Sequence, residues 1–92
     1  MPARRVKDDK ELMDIHSVGE GFVYNDDWDI VHKANCPYVA GMKVFTGTEE
    51  EYGDYKNPGM KYYALTKDTL LEWLRETWWP GGKPRFCARC GA

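Results

Sequence analysis

Apolar and polar positions along this chain fall into short bursts, and only residues 66–79 sustain a helical period. There Leu70, Trp73, Leu74, Thr77 and Trp78 recur at spacings of three and four, a face broad enough to pack on a sheet. Thr66 suits the N-cap, Asp68 puts negative charge in the first turn, and Thr69 with Glu72 offers a second capping register further in. Pro80-Gly81-Gly82 ends this segment. A weaker helical pattern, 11–18, carries Leu12, Met13 and Ile15 and is cut short by Gly19 and Gly21. The remaining apolar bursts read as strands. Phe22-Val23-Tyr24 is β-prone, and Asn25-Asp26-Asp27 signals a turn. Trp28, Ile30 and His32 then alternate with Asp29, Val31 and Lys33, which aims His32 to the same side as Trp28 and Ile30. Residues 43–46 and 61–65 are further strand candidates. Residues 1–10 are polar and expected to fray, and 48–60, rich in Glu, Gly, Asn, Pro and Asp, reads as an exposed loop. The expected fold is a single α+β domain, 1–92, with a short antiparallel sheet and one main helix over 66–79.

A chain of 92 residues buries a limited core and commonly relies on a staple. The cysteines suggest which one. His32 and Cys36 form H-x3-C, and Cys87 and Cys90 form C-x2-C near the C-terminus. Ala34-Asn35-Cys36-Pro37 reads as a tight turn that brings Cys36 back towards His32. Two short chelates of this kind supply the four donors of a tetrahedral zinc ion, and Gly91 after the last cysteine permits the turn of a zinc knuckle. Three cysteines cannot all pair within one chain, so a reduced thiolate site in a cytoplasmic setting fits better than a disulfide framework. A redox C-x-x-C is the competing reading, but it ordinarily opens a helix, and no helical pattern follows Cys90. Four protein ligands close the coordination sphere, so the expected ion is one structural Zn2+ per chain and the expected protein is not an enzyme. His16, the second histidine, has no motif around it and reads as an ordinary side chain.

Charge adds one feature. The net charge is −2, with acidic runs at Asp26-Asp27 and Glu49-Glu50-Glu51, yet Lys83, Arg85 and Arg89 surround the last cysteine pair with no acid among them. Such a patch can meet phosphate, and an exposed aromatic such as Trp79 beside it can stack on a base. It can equally touch a protein partner, and the aromatic and acidic Tyr52-Gly53-Asp54-Tyr55 is a second surface that could do so. No apolar stretch has the length to cross a bilayer, and the basic N-terminus lacks the apolar core of a secretory signal.

Val31-His32-Lys33-Ala34-Asn35-Cys36-Pro37, Tyr62-Tyr63-Ala64-Leu65-Thr66 and Arg85-Phe86-Cys87-Ala88-Arg89-Cys90 together resemble the small zinc domain of the Ada-type DNA repair proteins. They also resemble metal-binding modules appended to some bacterial nucleases. The likeness leaves the first stretch of the chain outside it. It implies a bacterial module with the order ligand pair, strand, helix, ligand pair, and a nucleic-acid partner. Two departures matter. The Ada-type domain has four cysteine ligands, the first of which accepts a methyl group from a DNA phosphotriester. His32 stands at that position here, and an imidazole cannot do this thiolate chemistry. The gap between ligand pairs is also longer, mainly through 43–60, an acidic insertion able to cover the surface that the family uses. The expected function is therefore a non-catalytic zinc module, monomeric, mediating nucleic-acid or protein interaction. The alternatives are a thiolate alkyl-transfer or hydrolytic zinc enzyme, or a structural or regulatory protein partner.

Overall fold

The computed structural model describes residues 3–26, 28–48, 59–78 and 84–92. Strand β1 (Arg4–Val6) and helix α1 (Asp9–Val18) come first, followed by the hairpin of β2 (Phe22–Asn25) and β3 (Ile30–Lys33). A one-turn helix α2 (Pro37–Ala40), strand β4 (Lys61–Ala64), helix α3 (Lys67–Trp73) and strand β5 (Arg85–Phe86) follow among the described residues. A π-helical stretch, Leu74–Trp78, continues α3. The sheet has five strands in the order β1-β4-β2-β3-β5. Four pair antiparallel, but β5 runs parallel to β3, so the sheet is mixed and the expectation of an antiparallel sheet is corrected.

Three further expectations change. Residues 4–6 do not fray: they pair with β4, and Val6 is fully buried. Arg5 anchors them by donating to the carbonyls of Phe45 and Gly47. Second, 66–79 is not the one main helix, because α1 has 10 residues and α3 has 7 before its π turn. Asp8 caps α1 by accepting from the Glu11 N–H at 2.7 Å, and Glu11 accepts in return from the Lys7 N–H. This is a variant of the capping box in which Glu11 bonds the N–H preceding the N-cap, and the Asp8-x-x-Glu11 spacing was its signal. Third, residues 42–46 form no strand. That stretch is held instead by a bond from the Val44 N–H to Asp9 Oδ1 at 2.7 Å and one from the Phe45 N–H to the Gly59 carbonyl at 3.3 Å. Most of the expected 48–60 loop lies outside the described residues.

The alternation of side chains along the strands sends them into two separate cores. One contains Val6, Leu12, Ile15, Val23 and Val39 under α1 and α2, together with Cys36 and Cys87. The other contains Tyr24, Val31, Met60, Tyr62, Leu70 and Leu74 under α3. The Tyr62 ring lies 4.5 Å from that of Trp73. Helix α3 begins as its sequence indicates, with Thr66 Oγ1 accepting from the Thr69 N–H at 3.2 Å. Gly21 is required where β2 meets β4: its φ is +101°, and a Cβ there would stand 2.6 Å from the Tyr63 ring and 2.7 Å from the Ala64 carbonyl oxygen. Among the described residues, no helix is long and apolar enough to cross a membrane.

Candidate metal centre

The two chelates meet because β3 and β5 are parallel neighbours. Ile30 pairs with Arg85 and Val31 with Phe86, and the Cys87 N–H donates to the Val31 carbonyl at 2.9 Å. That register sets Cys87 level with His32. Both strands then leave the sheet at the same end, β3 into the turn bearing Cys36 and β5 into the turn bearing Cys90. Cys36 is held by its N–H to the Lys33 carbonyl at 3.0 Å and sits at the N-cap position of α2, with Pro37 opening the helix. Beyond Cys87, its carbonyl accepts from the N–H groups of Gly91 and Ala92 at 3.1 and 3.2 Å, and Gly91 takes φ +71°.

One ligand atom from each of His32, Cys36, Cys87 and Cys90 lies within 4.8 Å of the others. The first three side chains are buried and Cys90 is half-buried. Cys36 Sγ and Cys87 Sγ stand 3.9 Å apart, far beyond a disulfide bond. Four ligands at zinc–sulfur distances of about 2.3 Å would put neighbouring sulfurs about 3.8 Å apart, so the observed spacing fits a shared ion. A second observation supports the fit: His32 Nδ1 is buried without a hydrogen-bond partner. A buried polar nitrogen costs free energy unless it is hydrogen-bonded or bound to a metal, and an ion in this cluster would satisfy the imidazole.

The local electrostatics also suit a cation. Burial lowers the His32 pKa and favours the neutral imidazole, the form that ligates metals. Burial pushes the Cys36 thiol up to about 11, with Cys90 and Cys87 adding to the rise and the Tyr38 N–H opposing it. Burial also acts upward on Cys87, but the N–H groups of Cys90 and Arg89 and the thiols of Cys90 and Cys36 outweigh it and hold Cys87 below the ordinary thiol range. The Lys33 N–H points to Cys90 Sγ at 3.3 Å. Three sulfurs thus share one small space with backbone N–H donors around them, an arrangement that supports thiolate ligands.

The other sequence candidates are distributed around this cluster. Arg85 and Arg89 are exposed. The Arg85 backbone N–H donates to the Asp29 carbonyl at 2.9 Å, and its guanidinium donates to the Trp28 carbonyl. The Arg89 guanidinium lies 5.4 Å from the centre of the Tyr38 ring. Lys83 and Trp79 lie outside the described residues, as does Tyr52-Gly53-Asp54-Tyr55. His16 sits in the last turn of α1 and is not part of the cluster.

Sequence reasoning missed a cleft next to the cluster. It has a volume of about 410 Å³ and is lined by Asn25, Trp28, Ile30, His32, Tyr38, Met42 and Arg85. Trp28, Ile30 and His32 thus share a side, as their alternation indicates, although Trp28 lies in the turn before β3 and is 69% exposed. Tyr38 is 55% exposed and makes edge-on contact with the His32 ring at 6.1 Å. Two large aromatics, one in the turn before the H-x3-C motif and one just after it, were the available signal. Comparison with protein families, curated proteins and solved structures finds no match.

Proposed function

We propose that this chain is a zinc-stapled binding module with a structural Cys3His site. The observation carrying this reading is the convergence of His32 and Cys36, from the β3–α2 region, with Cys87 and Cys90, from the segment after β5, to within 4.8 Å. Three soft thiolates and a neutral imidazole are a donor set that favours zinc. We read Cys87-Ala88-Arg89-Cys90-Gly91 as a zinc knuckle. The N–H groups directed at Cys87 and the left-handed Gly91 support that reading. When bound, the ion would cross-link the β3–α2 turn to the C-terminal segment, and its binding free energy would also be folding free energy. Four protein donors leave no open position for a water nucleophile, and His32 stands where the Ada-type repair domain carries its reactive thiolate. The module is therefore read as non-catalytic. A thiolate site of this kind suits a reducing compartment such as the cytoplasm.

For its partner we favour nucleic acid. The exposed Arg85 and Arg89 flank the cluster and contact the exposed Trp28 and Tyr38 respectively, a basic and aromatic surface suited to phosphate and base.

Metal analysis of the purified monomer, combined with chelation followed by circular dichroism, tests the metal reading. The expected result is one zinc per chain and loss of folded structure on chelation; a fully folded metal-free chain would overturn it. Titration of labelled oligonucleotides at low salt tests the partner. Binding is expected to weaken in the double variant Arg85→Gln, Arg89→Gln, and an unchanged affinity removes the nucleic-acid reading.

A further inference from the structure

We infer that the cleft between Trp28 and Tyr38 receives an unpaired base of a single-stranded nucleic acid, with the adjoining phosphate on Arg85. The inference rests on the nucleic-acid reading above and deepens it. Its volume of about 410 Å³ falls within the range of small-ligand sites, roughly 300–1,000 Å³. Among the described residues its lining combines two exposed aromatics, the polar Asn25 and His32, the apolar side chains of Ile30 and Met42, and the cation Arg85, with no carboxylate. That charge balance argues against a cationic guest, since an aromatic cage for an ammonium would not place a guanidinium in its wall. It suits an aromatic ring joined to an anion, as in a nucleotide. A base paired and stacked within a duplex could not offer its face to Trp28, so the occupant is a single strand.

The cleft is also built to hold its shape. Asp29, next to Trp28, adopts φ +52°, a left-handed conformation that aspartate tolerates. Its carboxylate accepts from the Tyr24 hydroxyl at 2.6 Å. Arg85 then fastens the carbonyls of both Trp28 and Asp29 to β5. Opposite, Tyr38 lies two residues beyond Cys36 and against the ring of His32, so two metal-ligand positions fix that wall. An exposed side chain mounted on a fixed turn binds with little ordering cost.

A fluorescently labelled ten-nucleotide thymidine strand, its duplex and free thymidine monophosphate, each titrated into the full zinc-loaded chain at low salt, test the inference. The single strand is expected to bind more tightly than the other two and to quench tryptophan fluorescence. Trp28→Ala should weaken it about 5- to 100-fold and remove most of the quench, while zinc content and circular dichroism stay unchanged because Trp28 is exposed. Tyr38→Ala should also weaken binding. If Trp28→Ala binds as tightly as the parent while the Arg89→Gln variant weakens, the cleft assignment fails and the nucleic-acid reading stands. If no oligonucleotide binds, both fail. Duplex or free nucleotide binding equal to the single strand overturns the proposed occupant.

Discussion

The two faces of the sheet are held by different physics. Under α3, Tyr24, Val31, Met60, Tyr62, Leu70 and Leu74 make a core of ordinary apolar burial, with Tyr62 against Trp73. Under α1 and α2 the apolar residues are mostly smaller, and Cys36 and Cys87 complete the cluster. The first face is stabilised by the area it removes from water. The second places thiols and an imidazole where apolar side chains would otherwise pack, which is favourable only if those polar groups find partners. In a chain of 92 residues, one face can be a core in its own right while the other, on the proposed reading, would depend on a bound ion.

Removing one ligand is the strongest way to break this comparison. Cys87→Ser should abolish stoichiometric zinc binding and unfold most of the chain, because structural zinc contributes about 10–16 kcal/mol in small peptides against a typical domain stability of about 5–15 kcal/mol. Metal analysis and circular dichroism at 25 °C check this. On the opposite face, Leu70→Ala should cost about 2–5 kcal/mol in denaturant unfolding yet leave one zinc per chain. Equal loss of metal in both variants would show that the faces are not separable. Gly21→Ala, at the junction of β2 and β4, should destabilise by about 1–3 kcal/mol because its positive φ and the Tyr63 ring both oppose a Cβ.

Acid offers a probe of the face that carries His32. The folded-state pKa of His32 is depressed, so its contribution to stability is present above the ordinary imidazole value near 6.5 and is lost as pH falls from there through the folded value. Protons also compete with the metal for all four ligands. Zinc release and chemical unfolding followed between pH 7.5 and 5 should therefore move together in the parent. The smallest test compares the caps. Asp8→Ala beneath the face that carries the cysteine cluster and Thr66→Ala beneath the apolar one should each cost about 1 kcal/mol in thermal unfolding, without loss of zinc.

Much of the local structure was legible in the sequence. Thr66 starts α3 where its capping chemistry indicates, and the 22–33 hairpin forms around the Asn25-Asp26-Asp27 turn signal. Two segments depart from their local pattern because of distant partners. Residues 4–6 read as a charged tail, yet Val6 is fully buried and the Arg5 guanidinium donates to two carbonyls of a distant segment. Residues 43–46 have strand-like composition, but Val44 is tied to Asp9 in α1 rather than into the sheet. Neither partner is visible to a local pattern. The Trp28–Tyr38 cleft was missed for the same reason, since one wall comes from the β2–β3 turn and the other from α2.

By itself the sequence determined the inventory of donors and their pairing into two chelates, because chelate spacing is a local property of three or four residues. It also determined where α3 begins and the β2–β3 hairpin. Only the tertiary structure decided that the chelates meet. An antiparallel β5 would have carried Cys87 and Cys90 away from Cys36, to the opposite end of the sheet. The parallel register of β3 with β5 brings both exits to one end, and that register depends on a crossover through α3 that no local spacing encodes.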